Sequence, residues 1–261
     1  MSEKIEQLSK WIQESNNLVV FSGAGMSTSS GIPDFRSTNG LWKAETNREY
    51  YISKGYYQSN PKDFWQKFKE IFQLKLMGDY QPNEGHYFLK ELEDMGKNVT
   101  ILTQNVDGLH TDAGSSHVIE LHGTIKTATC PKCKTQYGLD YINNHDIPRC
   151  NKPNKKNNTC GFILKPDVVL FGDAVRGYKE AEEAINACSL FVVLGSSLEV
   201  YPVNNLPQYA RYDENTKLTI INREATKKDR LFDLVLHEDI VATLSKVKEF
   251  LHEGDVMSEY R

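Results

Sequence analysis

Apolar residues recur along this chain with two alternating periods. Ile5, Leu8 and Ile12, with Trp11 beside them, fall at helical spacing and predict an amphipathic helix. Leu18-Val19-Val20-Phe21 is an unbroken apolar run, which reads as a buried strand. Residues 38–60 are polar, rich in tyrosine and without a clear period. Asn60-Pro61 then predicts a helix start with proline in the first turn, and Phe64, Phe68, Ile71 and Phe72 share the core-facing side. Asn83 predicts the cap of a further helix, with Leu89, Leu92 and Met95 inside and Gly96 ending it. Val99–Leu102, Val118–Leu121, Val168–Phe171, Phe191–Leu194 and Leu218–Ile221 read as strands separated by helical segments. Strands alternating with helices predict an α/β fold built on a parallel sheet with right-handed crossovers.

That rhythm breaks over residues 126–164, which are rich in Cys, Lys, Asn and Pro and read as an insertion. At 261 residues the chain can bury a sizeable core, as one large domain or one and a half. A net charge of −4 invites neither nucleic acid nor an anionic membrane. The acidic, polar start Met1-Ser2-Glu3-Lys4-Ile5-Glu6 is wrong for a secretory leader, and no apolar run reaches membrane-spanning length. A cytoplasmic protein is expected, its five cysteines reduced or metal-bound.

The cysteines narrow this further. Cys130-Pro131-Lys132-Cys133 is followed after sixteen residues by Cys150 and after nine more by Cys160. Cys-Pro-x-Cys is a strong zinc-knuckle signal, and two thiolate pairs suit a closed tetrahedral structural site. The second pair is looser than the two to four residues usual between paired ligands, and a redox-active Cys-x-x-Cys is the alternative. Cys188, in an apolar setting, reads as a small buried hydrophobe.

The first strand runs into Ser22-Gly23-Ala24-Gly25-Met26-Ser27-Thr28 and then Gly31-Ile32-Pro33-Asp34-Phe35-Arg36. Gly-x-Gly lets the backbone turn and approach a ligand closely, and a helix N-terminus placed there would offer N–H groups to a pyrophosphate. The usual dinucleotide fingerprint has a third glycine where this chain has Thr28, so an ordinary dehydrogenase is not indicated. Polar residues also follow the other strands: Gln104-Asn105-Val106-Asp107, His122, Gly195-Ser196-Ser197 and Asn222-Arg223. Singly these are turn formers, a loop or a structural histidine. Together they would face one crevice beyond the carboxyl ends of a parallel sheet, where such folds bind ligands.

With Gly31–Ser37, Thr103–His110, Leu121-His122-Gly123-Thr124, Lys165-Pro166-Asp167-Val168-Val169 and Gly195-Ser196-Ser197-Leu198, the chain resembles the sirtuin (Sir2-like) family of NAD-dependent protein lysine deacylases, bacterial type. The resemblance runs in the family's order from the first strand to the end of the chain. It implies a Rossmann-like parallel sheet with helices on both faces, plus a small inserted zinc-binding module and a helical module. It implies NAD as co-substrate and one structural zinc ion. The Gly23-Ala24-Gly25 loop, with Thr28, would hold the pyrophosphate; Gly195, Ser196, Ser197, Asn222 and Arg223 would lie along the phosphates and the adenosine ribose. Phe35 and Arg36 would belong to a lid over the nicotinamide ribose, and Gln104, Asn105 and Asp107 would line the nicotinamide pocket. His122 would be the general base. Val168, Val169, Phe171 and Gly172 would pair with the substrate peptide as an added strand.

In the family's mechanism the acyl-lysine oxygen attacks the nicotinamide ribose and expels nicotinamide. The histidine then activates a ribose hydroxyl toward the amidate carbon, giving acyl-ADP-ribose and free lysine. Residues 1–45, 84–125 and 165–261 would form the NAD-binding domain, with 46–83 as the helical module and 126–164 as the zinc module. Cys130, Cys133, Cys150 and Cys160 would bind the metal. The family's second cysteine pair lies closer together, so the insertion Asn151–Thr159 leaves the fourth ligand the open point; Cys160 is the best candidate, since Asn157 and Asn158 are poor ligands. The Tyr-x-x-Arg pair of members selective for acidic acyl groups is not found, which points to acetyl or longer neutral groups. Partners would be acylated-lysine proteins or peptides, with no nucleic acid or membrane, acting as a monomer or weak oligomer. Protein mono-ADP-ribosylation or NAD hydrolysis in the same crevice is the alternative.

Overall fold

The first apolar run divides its side chains between two cores. In the computed structural model, which describes residues 2–34, 47–72, 80–154 and 158–258 (side chains to 252), Leu18 and Val20 pack on one face of a sheet and Val19 and Phe21 on the other. The helices are α1 (Ser2–Glu14), α2 (Pro61–Ile71), α3 (Glu84–Asp94), α4 (Tyr178–Ala187) and α5 (Ile240–Ser258), with several shorter helical turns. The strands are β1 (Asn17–Ser22), β2 (Asn98–Thr103), β3 (Val118–Glu120), β4 (Gly123–Thr129), β5 (Gln136–Gly138), β6 (Lys165–Val168), β7 (Leu190–Leu194), β8 (Lys217–Ile221) and β9 (Leu234–Leu236).

Six strands form a parallel sheet in the order β3-β2-β1-β7-β8-β9. Side chains of α1, α3 and α5 cover one face through Ile5, Leu8, Ile12, Phe88, Leu89, Leu92, Leu244 and Val247. Ala181 and Ile185 of α4, with Leu206, cover the other. Burial on both faces is why β1 is apolar from Leu18 to Phe21 and β7 throughout. The chain leaves β1 toward β2 on one side, while β7 and β8 lie on the other. Between β1 and β7 the order reverses, which opens a crevice beyond their carboxyl ends.

A smaller antiparallel sheet, β5-β4-β6, packs with α2 around Phe64, Trp65, Phe68, Ile125, Ile142 and Leu164. The Trp65 indole donates to the Leu164 carbonyl at 2.8 Å and ties α2 to this sheet.

Asn60 caps α2 and Asn83 caps α3, as their positions before Pro61 and Glu84 predict. Gly96 takes φ +87° and ends α3. Four expectations are corrected. Met95 is 42% exposed, because it is the C-cap residue beyond the buried stripe. The strand expected over 168–171 is instead β6, ending at Val168; Pro166 occupies it because it is a short strand paired on one side only. After Gly23 comes a 3-10 turn, Ala24–Ser30, rather than an α-helix. Within the tyrosine-rich stretch, Arg48–Tyr51 and Lys54–Ser59 form short helical turns too brief to show a period. No helix among the described residues is long and apolar enough to cross a membrane.

Candidate active site

Three glycines set how tightly the crevice closes at its base. Gly195 follows β7 with φ +63°, and its backbone nests against the loop that follows β1. A Cβ on Gly23 would lie 2.6 Å from the Gly195 carbonyl oxygen, and one on Gly25 would lie 2.8 Å from the Gly195 Cα. The Gly23 N–H donates to the Leu194 carbonyl and the Gly25 N–H to the Gly195 carbonyl, each at 2.9 Å. These two N–H groups are therefore spent on holding the loops together. Gly25→Ala should cost about 1–3 kcal/mol, since the obstructing atoms are backbone. Thermal unfolding with and without NAD checks this; an unchanged melting temperature would contradict the nested packing.

The resulting cleft has a volume of about 910 Å³. Its walls include Gly23, Ala24, Gly25, Thr28, Gln104, Asn105, His122, Gly195, Ser196, Ser197, Asn222 and Arg223 from five strand ends. Val168, Val169, Phe171 and Gly172 line it from the β6 side. Every described residue expected in the site is in the wall except Asp107. That carboxylate is buried one layer behind, accepting from the Ser27 hydroxyl at 2.8 Å and the Leu109 N–H at 3.0 Å. Phe35 and Arg36 lie outside the described residues.

Asn105 is held from several directions. Its side-chain amide donates to the Gly23 carbonyl at 3.0 Å and to Ser27 Oγ at 3.1 Å, and its own N–H donates to Thr103 Oγ1 at 3.1 Å. The phosphate loop and the strand end after β2 are thus one hydrogen-bonded unit. Gln104 reaches across the crevice, donating to Ser196 Oγ at 2.8 Å. Arg223 pairs with Asp239 at 2.6 Å, so its charge is already partnered.

His122 sits in the turn between β3 and β4. Gly123 follows it at φ +71°, where a Cβ would meet the Asp167 carbonyl oxygen at 2.0 Å; glycine is what lets β6 pass beside the histidine. The His122 carbonyl in turn accepts the Val169 N–H at 2.8 Å. On the imidazole, Nδ1 is 3.1 Å from the Gln104 carbonyl oxygen. A carbonyl only accepts, so Nδ1 carries the proton and Nε2 keeps its lone pair. Burial pushes the His122 pKa below the ordinary histidine value, against a smaller opposing effect of the Gln104 bond. The ring is therefore neutral at pH 7 with one basic atom.

The segment 168–172, expected to pair with a peptide, is engaged more fully than an open edge strand. The Phe171 N–H donates to the Ile52 carbonyl at 3.2 Å and the Phe171 carbonyl accepts the Lys54 N–H at 2.9 Å. Any added strand would pair on the opposite side of this segment. Glu199, Val200 and Tyr201 form part of the same cleft wall and were not anticipated. Only the preceding Gly-Ser-Ser stands out in sequence.

Away from the cleft, the four cysteines converge. Cys130 Sγ lies 3.8 Å from Cys160 Sγ and Cys133 Sγ lies 3.4 Å from Cys150 Sγ, with all four sulfurs within 4.8 Å of one another. Four thiolates at about 2.3 Å from one zinc ion would stand about 3.8 Å apart, so the donor set and its size fit tetrahedral zinc. The wide spacing before Cys160 has a simple cause. Pro153 pairs with Thr159, and Cys160 N–H donates to the Lys152 carbonyl at 2.8 Å. The two described ends of the insertion therefore lie side by side, and Gly161 N–H donates to the Cys150 carbonyl at 2.9 Å. Cys188 is buried in the main-sheet core, apart from this group.

Comparison with known proteins agrees with this geometry. The Sir2 family model matches residues 23–202. The chain is 53% identical over 248 residues to NAD-dependent protein deacetylase 2 of Geobacillus kaustophilus, covering 95% of this chain and 98% of that protein. It is 47% identical over 236 residues to the NAD-dependent protein deacetylase of Bacillus subtilis, covering 90% and 96%. A solved structure from work on the mechanism and regulation of Sir2 enzymes superposes with TM-score 0.83 at 37% identity, over 97% of this chain and 99% of that one. A Sir2 histidine variant with deacetylated p53 peptide and 3′-O-acetyl ADP-ribose gives TM-score 0.83 at 33% identity, over 94% and 97%. With both the site and its relatives in agreement, this chain belongs to the Sir2 family.

Proposed function

We propose that this cleft removes acetyl, or other neutral acyl, groups from protein lysine side chains using NAD, and that His122 is its general base. The carrying observation is the His122 imidazole in the cleft wall, neutral and locked through Nδ1 to the Gln104 carbonyl, with Nε2 as its only basic atom. The relatives are named NAD-dependent protein deacetylases, and one Sir2 structure holds a deacetylated peptide with acetyl-ADP-ribose.

NAD supplies the ribose carbon that accepts the acyl oxygen as nicotinamide departs. The protein's part is to bind, orient and exclude water. The Gly23–Gly25 loop and Gly195–Ser197 would hold the pyrophosphate, with Asn222 near the adenosine ribose. Asn105 would orient the nicotinamide ribose, its amide fixed by Gly23 and Ser27. Asp107 would support that arrangement through Ser27 rather than by lining the pocket. Ile52, Phe72, Val106, Val168 and Leu170 would shield the reacting atoms on the acyl side. His122 Nε2 would take the proton from a ribose hydroxyl.

The cleft also favours a neutral acyl group. Among the described residues of its wall the lysines and arginines are Arg223 and Lys227, both beyond β8, whereas the apolar lining comes from Ile52, Phe72, Val106, Val168 and Leu170. A succinyl carboxylate would enter that pocket unpaired, at a cost of several kcal/mol. Incubation with NAD and acetyl-, butyryl- and succinyl-lysine peptides, with products identified by mass, tests the reading. Acyl-ADP-ribose from the neutral peptides is expected; preferential turnover of the succinyl peptide would overturn the acyl assignment.

The pH profile follows from the sign of the His122 shift. The base is active when neutral, and its lowered pKa keeps it neutral down past the ordinary histidine value of about 6.5. The rate should stay level from neutral pH through that value and fall on its acid side. A midpoint above 7 in kcat/KM against pH would contradict the assignment.

We further propose one structural zinc at Cys130, Cys133, Cys150 and Cys160, supported by the tetrahedral separations. The NAD-binding unit would comprise residues 1–45, 84–125 and 165–261. Reduced thiols and a zinc site suit the cytoplasm as the working compartment.

A further inference from the structure

Behind the cleft, two histidines lie in the core, each with only one ring nitrogen in use. His86 and His110 are 0% and 1% exposed, and their ring centroids are 4.7 Å apart. Each has one ring nitrogen engaged and one buried without a partner: His86 Nε2 and His110 Nδ1. Buried polar atoms are rarely left unpaired, so this pair needs an account.

The engaged nitrogens fix the tautomers. His86 Nδ1 lies 3.2 Å from the Asn83 N–H, which can only donate. Nδ1 is therefore the acceptor, and the neutral ring carries its proton on Nε2. His110 Nε2 lies 2.8 Å from Ser22 Oγ, whose proton goes to Thr103 Oγ1 at 2.8 Å. His110 must then donate from Nε2, which leaves a lone pair on Nδ1. The two orphan atoms are one donor and one acceptor, on rings in contact.

Burial keeps both rings neutral. The His86 pKa is pushed down to about 4, with Asp107 opposing weakly, and that of His110 well below its ordinary value. A charged form of either ring would present two protons where one acceptor exists.

We propose that His86 and His110 form a neutral hydrogen-bonded dyad, Nε2–H to Nδ1, that positions Asn105 from behind the cleft. With ring centroids 4.7 Å apart, the donor and the acceptor sit on neighbouring rings, and each is otherwise buried without a partner. The line then runs from the Asn83 cap of α3 through His86, His110 and Ser22 to Thr103. Thr103 Oγ1 also accepts the Asn105 N–H at 3.1 Å. Asn105 in turn holds Gly23 and Ser27. The histidines touch neither NAD nor peptide; they are positioning residues, tying the capped start of α3 to the strand end that would orient the ribose. This role rests on the deacetylase reading only for its kinetic consequence.

The test has two arms. Nitrogen-detected histidine NMR on the full chain at pH 7 should show both rings neutral with Nε2–H, and a slowly exchanging, low-field His86 Hε2 proton. His86→Asn keeps an acceptor for the Asn83 N–H but removes the dyad donor, so that resonance should vanish while the His110 tautomer persists. His110→Phe removes both bonds at similar volume. It should lower kcat for deacetylation about 10- to 100-fold with little change in KM for the peptide, as a small displacement of a positioning group does. His110→Gln, which can still donate to Ser22, should recover part of that loss. An Nδ1–H tautomer or a charged ring for either histidine would overturn the dyad whatever the enzyme does. Unaltered kcat in a folded His110→Phe chain would overturn its positioning role. A wild-type chain that releases no lysine would refute the deacetylase reading and leave the NMR arm standing.

Discussion

His122→Ala is expected to lower lysine deacetylation by about 100- to 10,000-fold, the range over which a positioned general base acts. NAD should still bind with nearly its original affinity. The contacts proposed for the pyrophosphate come from Gly23–Gly25 and Gly195–Ser197, and none is made through the imidazole. The His122 backbone would keep its bond to Val169, so the cleft wall should survive. Steady-state deacetylation and NAD titration on the same preparation check both halves. Undiminished turnover would remove His122 from the chemistry. Lost NAD binding would mean that the side chain shapes the cofactor site rather than acting as base.

The second large effect concerns the cysteines. Cys160→Ser should abolish stoichiometric zinc and destabilise the region around β4, β5 and β6 by several kcal/mol, because metal binding there is folding free energy. Cys130, Cys133, Cys150 and Cys160 all border the cluster that includes Ile125, Ile142 and Leu164, so loss of the ion reaches the packing of α2. Metal analysis should give about one zinc per wild-type chain, and limited proteolysis should find new cleavage within residues 126–164 in the variant. Full zinc content with unchanged protease resistance in Cys160→Ser would show that the fourth sulfur is not a ligand.

Much of this arrangement is legible in the residues. β1, β2, β7 and β8 are apolar because both faces of the sheet are covered, and such runs are hard to misread. Glycines pressed against backbone, as at Gly23 and Gly25, announce a close approach before its partner is known. What sequence does not reveal is which side of a polar residue is used. Asp107 reads as a pocket residue, yet its carboxylate turns inward to Ser27 and Leu109, a choice made by the turn after β2. The two N–H groups of the Gly-x-Gly loop read as anion donors, but both are consumed by β7 and the residue after it. β5 and β9 escaped notice because three-residue strands carry too few positions to show a period, and β4 because Ile125 is the one large apolar side chain in its seven residues. The spacing of Cys150 and Cys160 looked too wide only because separation along a chain does not register that Pro153 and Thr159 lie paired.

The central claim is that one crevice cleaves NAD and moves the acyl group in a single coupled reaction. Counting nicotinamide, freed lysine and acyl-ADP-ribose from one reaction with an acetylated peptide tests it most directly. Equal amounts of the three products are predicted. Nicotinamide in excess, with lysine still acetylated and ADP-ribose free or attached to protein, would contradict it.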